Sequence, residues 1–375
     1  MTEFNYPVGY HRFHRLKPIN YQLNRWHSFG YLREEDCWEA GKRIKKLDDF
    51  KPENIRQGEL ALSENRLVNA TFHYRAAEFY VPSSDPDKKS IYDQFYDLFY
   101  NHAFKDKPIE KVAVPFNDTH LPVLRLNPNN GKRGVMVIHG GFDSFKEEAL
   151  SLAYFFLEKG YEVYIFEGPG QGEALKKYDL PLSYRWEEPT KAVLDYFNLD
   201  DVTLLGFSMG GWLCFRAAAF EPRIRRVIAS SIVFDYLQMP PAPLAKLVNF
   251  LLKFPRLMDF ISNLQVKVSD QERWALNNLM YITRKETPTE AAFELLNLNE
   301  KNLHSDKVLQ DVLILTGAED HFIPMKMHHK QVAALTKAAS VTERIFTRDE
   351  HAQNHCQVGN IGLALQEMLS WLEQK

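Results

Sequence analysis

Cysteine is scarce. The 375 residues carry three, Cys37, Cys214 and Cys356, far apart along the chain. An odd number at wide spacing excludes a disulfide framework and fits reduced thiols in the cytosol. An excess of one charge is also missing. Forty-six Lys and Arg stand against 49 Asp and Glu, a net −3, which gives no basic field for nucleic acid or a membrane surface. No apolar run approaches the ~20 residues of a membrane span. The first residues, Met1-Thr2-Glu3-Phe4-Asn5-Tyr6, have neither the basic nor the apolar region of a signal peptide. The expectation is a cytoplasmic protein without nucleic-acid or membrane partners. A nucleotide cradle is lacking too. Glu167-Gly168-Pro169-Gly170-Gln171-Gly172 has neither Gly-x-Gly-x-x-Gly spacing nor a following Lys-Ser/Thr, and reads as a structural turn.

Apolar residues, by contrast, make up 45% of the chain, and aromatics are plentiful, with 26 Phe and 17 Tyr. The length allows one large domain or two modest ones. Residues 1–108 read as a helical domain. Helices are expected over 34–46 and 59–80, from apolar residues at roughly helical intervals. Val81-Pro82 stops the second, and Asp85-Pro86 opens a third. That third helix has a wide face of Ile91, Tyr92, Phe95, Tyr96, Leu98, Phe99 and Tyr100. Most of these rings suit helix-on-helix core; some could line a substrate cavity.

The texture changes near Lys107-Pro108. Residues 109–114 and 120–126 flank a hairpin turn at Phe116-Asn117-Asp118-Thr119, and Pro128-Asn129-Asn130-Gly131 reads as a second turn. Strands then alternate with helices: 134–138, 161–166, 202–205, 226–230, 311–316 and 340–346. This rhythm implies a mostly parallel sheet with helices on both faces over residues 109–375, with its site beyond the C-terminal strand ends. Residues 236–300 interrupt it with helix-like segments and no good strand, as a cap over those ends would. The cap's Phe250, Phe254, Phe260, Trp274 and Tyr281 suit a bulky ligand or an ordinary core equally well.

One stretch organises the rest. Val202 to Leu205 is a short apolar run, Gly206-Phe207-Ser208-Met209-Gly210 follows it, and a helix-like segment begins at Trp212. Strand, Gly-x-Ser-x-Gly and helix together read as a nucleophile elbow. Ser208 is then the candidate nucleophile. A Ser hydroxyl needs a base within reach and a group to hold that base. His351 and His355 both lie on the loop before the final helix. They stand four apart, as zinc ligands on a helix do, but the Glu of His-Glu-x-x-His is missing and no metal site is expected. Asp320 and Glu319 follow a strand and a Gly, and Asp235 follows an earlier strand. The oxyanion donors are expected to be the backbone N–H of Met209 and that of Gly141 or Phe142. His139 reads as a structural brace, and Asp143 and Lys146 as helix-capping, solvated residues.

The order Ser, Asp, His on an alternating α/β chain resembles the α/β-hydrolase fold. Four segments are similar to one branch of it: residues 139–148, residues 167–172, residues 206–211 and His351-Ala352-Gln353-Asn354-His355-Cys356-Gln357. That branch holds 2,6-dihydroxypseudooxynicotine hydrolase, the fungal polyketide-shortening hydrolases and the fermentation–respiration switch proteins. It also carries an N-terminal helical region with a stretch like Arg75-Ala76-Ala77-Glu78-Phe79. The resemblance implies Asp320 as the acid and His355, in the branch's His-Cys-Gln position, as the base. It also implies a possible homodimer. The expected function is hydrolysis of an apolar or aromatic carbonyl compound, at an ester or at a C–C bond beside a ketone, without a cofactor. A non-catalytic binding or regulatory protein is the alternative. An exopeptidase is disfavoured, because the N-terminal region lacks the strands or repeats of a propeller.

Overall fold

Among the described residues, five α-helices precede the first strand in the computed structural model: α1 (Lys17–Ser28), α2 (Glu34–Arg43), α3 (Phe50–Ser63), α4 (Leu67–Phe79) and α5 (Asp87–Asp97). The structure describes residues 4–129 and 131–375. Met1, Thr2, Glu3 and Asn130, the last within the turn expected at 128–131, lie outside the described residues. The single helix expected over 59–80 is two helices. The chain breaks between α3 and α4, where Asn65 takes φ 57°. Asn visits this left-handed region more readily than other side chains, so it can end a helix without glycine. Apolar spacing gave no sign of the break: α3 buries one stripe, whereas α4 buries nearly every residue from 70 to 79. α1 lacks a clean apolar period: Asn20, Gln22, Asn24, Arg25 and His27 are buried along with Ile19, Leu23 and Trp26.

The strands form one eight-stranded sheet in the order β1-β2-β4-β3-β5-β6-β7-β8. β1 (Glu110–Phe116) and β2 (Thr119–Leu126) are the expected hairpin, turned at Asn117 with φ 49°. β2 also pairs antiparallel with β4 (Tyr161–Phe166). β3 (Gly134–His139), β4, β5 (Val202–Phe207), β6 (Ile224–Ser230), β7 (Asp311–Gly317) and β8 (Ser340–Phe346) run parallel.

Successive strand residues point to opposite faces, and both faces are covered. Met136, Ile138, Val163 and Leu205 pack against α6 (Leu150–Glu158) and α16 (Ile361–Leu372), in the core that also takes Trp26, Phe72 and Phe95 from the N-terminal helices. Val135, Val137, Leu204 and Val227 face α8 (Glu187–Tyr196), α9 (Met209–Ala218) and α15 (Met325–Ala334). The N-terminal helices therefore share a core with one face of the sheet. The remaining connections include α7 (Gly172–Lys176) and, between β6 and β7, α10 (Ala242–Leu251), α11 (Pro255–Val268), α12 (Asp270–Thr283), α13 (Pro288–Leu296) and α14 (Glu300–Leu303), with no strand among them. Among the described residues, no helix is long and apolar enough to cross a membrane.

Candidate active site

Ser208 joins β5 to α9 with φ 59° and ψ −122°. A side chain in this region is strained, and the strain holds only because the surroundings fix it. Its N–H donates to the Ser230 carbonyl at 2.8 Å, which pins the turn to β6. The flanking glycines are required by close approach. A Cβ on Gly206 would lie 2.5 Å from Cys214 Sγ, and one on Gly210 would lie 2.5 Å from the Gly140 oxygen. The elbow therefore sits directly against the loop after β3.

Ser208 and His355 line one cavity of about 300 Å³ between the sheet, the N-terminal helices and the insertion. His355 Nδ1 lies 2.7 Å from Asp320 Oδ2, and both side chains are almost fully buried. Asp320 follows β7, and its Oδ1 accepts the N–H groups of Phe322 and Ile323, each at 2.9 Å. The carboxylate partner places the ring proton on Nδ1 and leaves Nε2 as an acceptor. Burial disfavours the charged form of His355, but Asp320 and then Cys356 outweigh it and raise its pKa well above the ordinary imidazole value. Burial pushes Asp320 up, and His355 and the two backbone donors bring it below its usual value.

Of His351, Glu319, Asp235 and His139, only His139 lines the cavity. His351 is exposed, in a left-handed conformation at φ 58°. Glu319 is exposed and paired with Arg348 at 2.9 Å. Asp235 is buried but accepts the N–H groups of Leu237 at 2.9 Å and Glu300 at 3.2 Å, so it ties the start of the insertion to α14. His139 is fully buried, with Nε2 3.3 Å from Cys214 Sγ and a pKa pushed down to about 4 by burial.

An ideal Cβ on Gly141 would lie 3.0 Å from the Met209 nitrogen, so the loop after β3 faces the start of α9. The Gly141 N–H donates to Ser144 Oγ at 3.2 Å. The Phe142 N–H finds no hydrogen-bond partner among the described residues. Of the two donors expected beside Met209, Phe142 is the free one. The glycine-rich turn holds this loop: Gln171 Nε2 donates to the carbonyls of Gly140 at 2.8 Å and Gly141 at 3.2 Å.

Two expectations fail here. Lys146 is buried, not solvated, and lies 2.8 Å from Glu147, 2.8 Å from Glu173 and 3.5 Å from Glu167. Asp143 lines the cavity and pairs with Arg25 of α1 at 3.3 Å. Arg25 also binds Glu148, which Arg75 holds from the other side at 2.6 Å, and Arg75 Nη2 donates to the Asp143 carbonyl at 2.6 Å. The N-terminal helices thus clamp the loop that faces Ser208. The sequence reading missed Tyr21, Gln22 and Arg25 as cavity walls. On the aromatic helix α5, Ile91 and Phe95 are core, with Phe95 against Phe145 at 5.9 Å, while Tyr92 and Tyr96 are half-buried. From the insertion, Met239, Gln271 and Trp274 line the cavity, and Trp274 donates to the Phe79 carbonyl at 3.0 Å. Phe250, Phe254 and Phe260 do neither of the things expected of them: all three are exposed.

Two groups, His11–His27–Glu34 and His328–His329–Glu343, hold ligand atoms within 4.8 Å of one another, and neither lines the cavity.

The family model for the alpha/beta hydrolase fold matches residues 135–352. The chain belongs to the α/β hydrolase fold family. Hydrolase LUC6 of a Fusarium species is 26% identical over 340 residues, 82% of this chain and 80% of its own length. The 20-hydroxy-prefusarin hydrolase FUS2 of Gibberella moniliformis is 26% identical, over 82% of this chain and 79% of its own. The crystal structure of the 2,6-dihydroxy-pseudo-oxynicotine hydrolase shares the fold with a TM-score of 0.66 at 20% identity, over 93% of this chain and 94% of that one. AbyA5 does so at 0.68 and 18%, over 91% and 90%. These proteins fit the branch that the sequence motifs resemble, and the chain is a hydrolase of this family.

Proposed function

We propose that the protein is a serine hydrolase in which Ser208, His355 and Asp320 act as one unit. The observation that carries this reading is the His355–Asp320 pair, 2.7 Å apart, with His355 in the same cavity as a serine held on a strained elbow. Ser208 Oγ attacks the substrate carbonyl carbon as its proton passes to His355 Nε2, and Asp320 stabilises the imidazolium that forms. The oxygen that becomes negative is bound by the N–H groups of Met209 and Phe142, helped by the N-terminus of α9. His355 returns the proton to the leaving group, and a water repeats the sequence on the acyl-enzyme.

The substrate is an apolar or aromatic carbonyl compound. Support comes from Trp274, Phe142 and Phe322 in the cavity wall, and from relatives named for the hydrolysis of 20-hydroxy-prefusarin and 2,6-dihydroxy-pseudo-oxynicotine. An ester has a ready leaving group. A C–C bond breaks by the same route only beside a ketone whose departing carbanion is conjugated, as in an acyl-phenol or a β-dicarbonyl. The free thiols Cys37, Cys214 and Cys356 favour a reducing cytosol.

The deciding experiment is intact-protein mass spectrometry after exposure to a fluorophosphonate, alongside turnover of a p-nitrophenyl ester and an aromatic β-diketone. An adduct on Ser208, lost in Ser208→Ala and His355→Ala, is the expected result. A folded protein that takes no adduct and turns over neither substrate would leave the fold as a binding module.

A further inference from the structure

α10 and α11 stand apart from every other long element, because neither buries a single residue. Of the 16 large hydrophobic side chains exposed among the described residues, eight fall within residues 244–268. On α11, Leu257, Phe260, Leu264 and Val268 recur at helical spacing along one face, and Val268 is 86% exposed. Leu247 and Phe250 continue the apolar surface on α10, both more than half exposed. The Phe250 and Phe254 rings meet at 5.4 Å where the two helices join, and an apolar surface of this kind marks a place where something docks.

The charge in this arm says what. Residues 242–268 contain Lys246, Lys253, Arg256 and Lys267 against one acid, Asp259, a local balance of 4 − 1 = +3 on a chain whose total is −3. Asp259 accepts the Thr289 N–H at 2.9 Å. The four bases form no ion pair with any described residue. Phe and Leu on one surface with unpaired Lys and Arg beside them is the pattern of a helix that lies in a lipid interface.

We propose that α10 and α11 dock the cap on an anionic lipid surface. A second copy of the chain fits less well, since a two-fold contact through this arm would bring four unpaired cations against four more. Anionic headgroups neutralise them instead, and the leaflet facing the cytosol is anionic. The arm also leaves and re-enters the fold at the cavity wall: Met239 lines the cavity just before α10, and Gln271 lines it just after α11. The surface is independent of the reaction proposed for Ser208, and its test reads binding, not turnover.

The experiment is co-sedimentation of the full chain with phosphatidylcholine vesicles made with and without phosphatidylserine. Binding is expected to the anionic vesicles and to weaken steeply as salt screens the charges. Phe260→Glu with Leu264→Glu should abolish it, and Lys253→Glu with Arg256→Glu should weaken it roughly tenfold or more. All four side chains are exposed, so circular dichroism and Tm should be unchanged. Equal binding to both vesicles, or none to either, overturns the proposal. So does a dimer in vesicle-free buffer that the Phe260 and Leu264 changes dissociate, which would assign the arm to a second copy.

Discussion

His355 Nδ1 and Asp320 Oδ2 meet at 2.7 Å across 35 residues of chain. β7 delivers the acid and the loop after β8 delivers the base, so the sheet itself sets their separation. The pair has two jobs in the proposed reaction: fixing the ring tautomer and stabilising positive charge on it. Asp320→Asn keeps the shape but removes the charge and permits the wrong tautomer. A fall in kcat of about 10⁴-fold is expected, with KM changed little. Steady-state kinetics on a p-nitrophenyl ester measures it. A loss below about tenfold would remove Asp320 from the role.

The same pair fixes the pH response. His355 must be neutral to accept the Ser208 proton, and its pKa is raised, with Asp320 the largest raising influence. The acid limb of kcat/KM should therefore have its midpoint above the ~6.5 of a free imidazole. In the residual activity of Asp320→Asn the limb should move to lower pH. For stability, the raised His355 contributes fully below ~6.5, and this is lost as pH rises through its folded value. The depressed Asp320 contributes above ~3.9, and this is lost as pH falls through its own. Unfolding titrations of wild type and Asp320→Asn should thus differ most between these limits. A limb at or below the free-imidazole value in the wild type would contradict the geometry.

Lys146 is a stability test. It is the cation shared by Glu147, Glu167 and Glu173, and burial beside the other carboxylates pushes Glu167 up to about 7 despite the pull of Lys146. Lys146→Met takes the ammonium from three buried carboxylates, of which Glu173 keeps Lys177 and Glu147 keeps the Tyr100 hydroxyl, and should cost about 3 kcal/mol. In a chain of this size that lowers Tm by roughly 5 °C. Without the ammonium the carboxylates are harder to ionise, so the deficit should shrink as pH falls toward their unfolded values near ~4.3. Thermal melts at two pH values report both effects, and a deficit that grew on acidification would count against the cluster as described.

The elbow was legible because it is local. Strand, turn and helix all fall within 202–218, and the two glycines are needed for contacts inside that span and with Gly140. The alternation of strands and helices was legible for the same reason. What the sequence hid was set by distant partners. Lys146 reads as solvated until Glu167 and Glu173, from beyond the next strand, close around it. Arg25 drew no notice in the sequence because what buries it, Asp143 and Glu148, lies more than a hundred residues away. Phe250, Phe254 and Phe260 read as inward-facing because large rings usually are. Their exposure depends on where the insertion leaves the fold, which no periodicity encodes. The whole-chain charge of −3 likewise concealed a +3 arm.

Gln171 makes the last prediction, because it separates holding a loop from doing chemistry. Its Nε2 bonds the carbonyls of Gly140 and Gly141, and its Oε1 accepts the Gly168 N–H at 3.2 Å. The side chain ties the glycine-rich turn to the loop that carries the Phe142 N–H. Gln171→Ala frees both carbonyls and lets that N–H drift from the place where the oxyanion forms. Losing one well-placed oxyanion donor costs about 10²–10³ in kcat. A misplaced donor should cost less, on the order of 10–10² in kcat, with a smaller change in KM because most of the cavity wall lies outside this loop. Fluorophosphonate labelling of Ser208 should slow in parallel, since that adduct also places a negatively polarised oxygen in the hole. A purely structural role would lower Tm and leave the labelling rate per folded molecule unchanged. A slower label on a protein of unaltered Tm would mean that the turn at 167–172, which holds no nucleotide motif, positions the oxyanion loop.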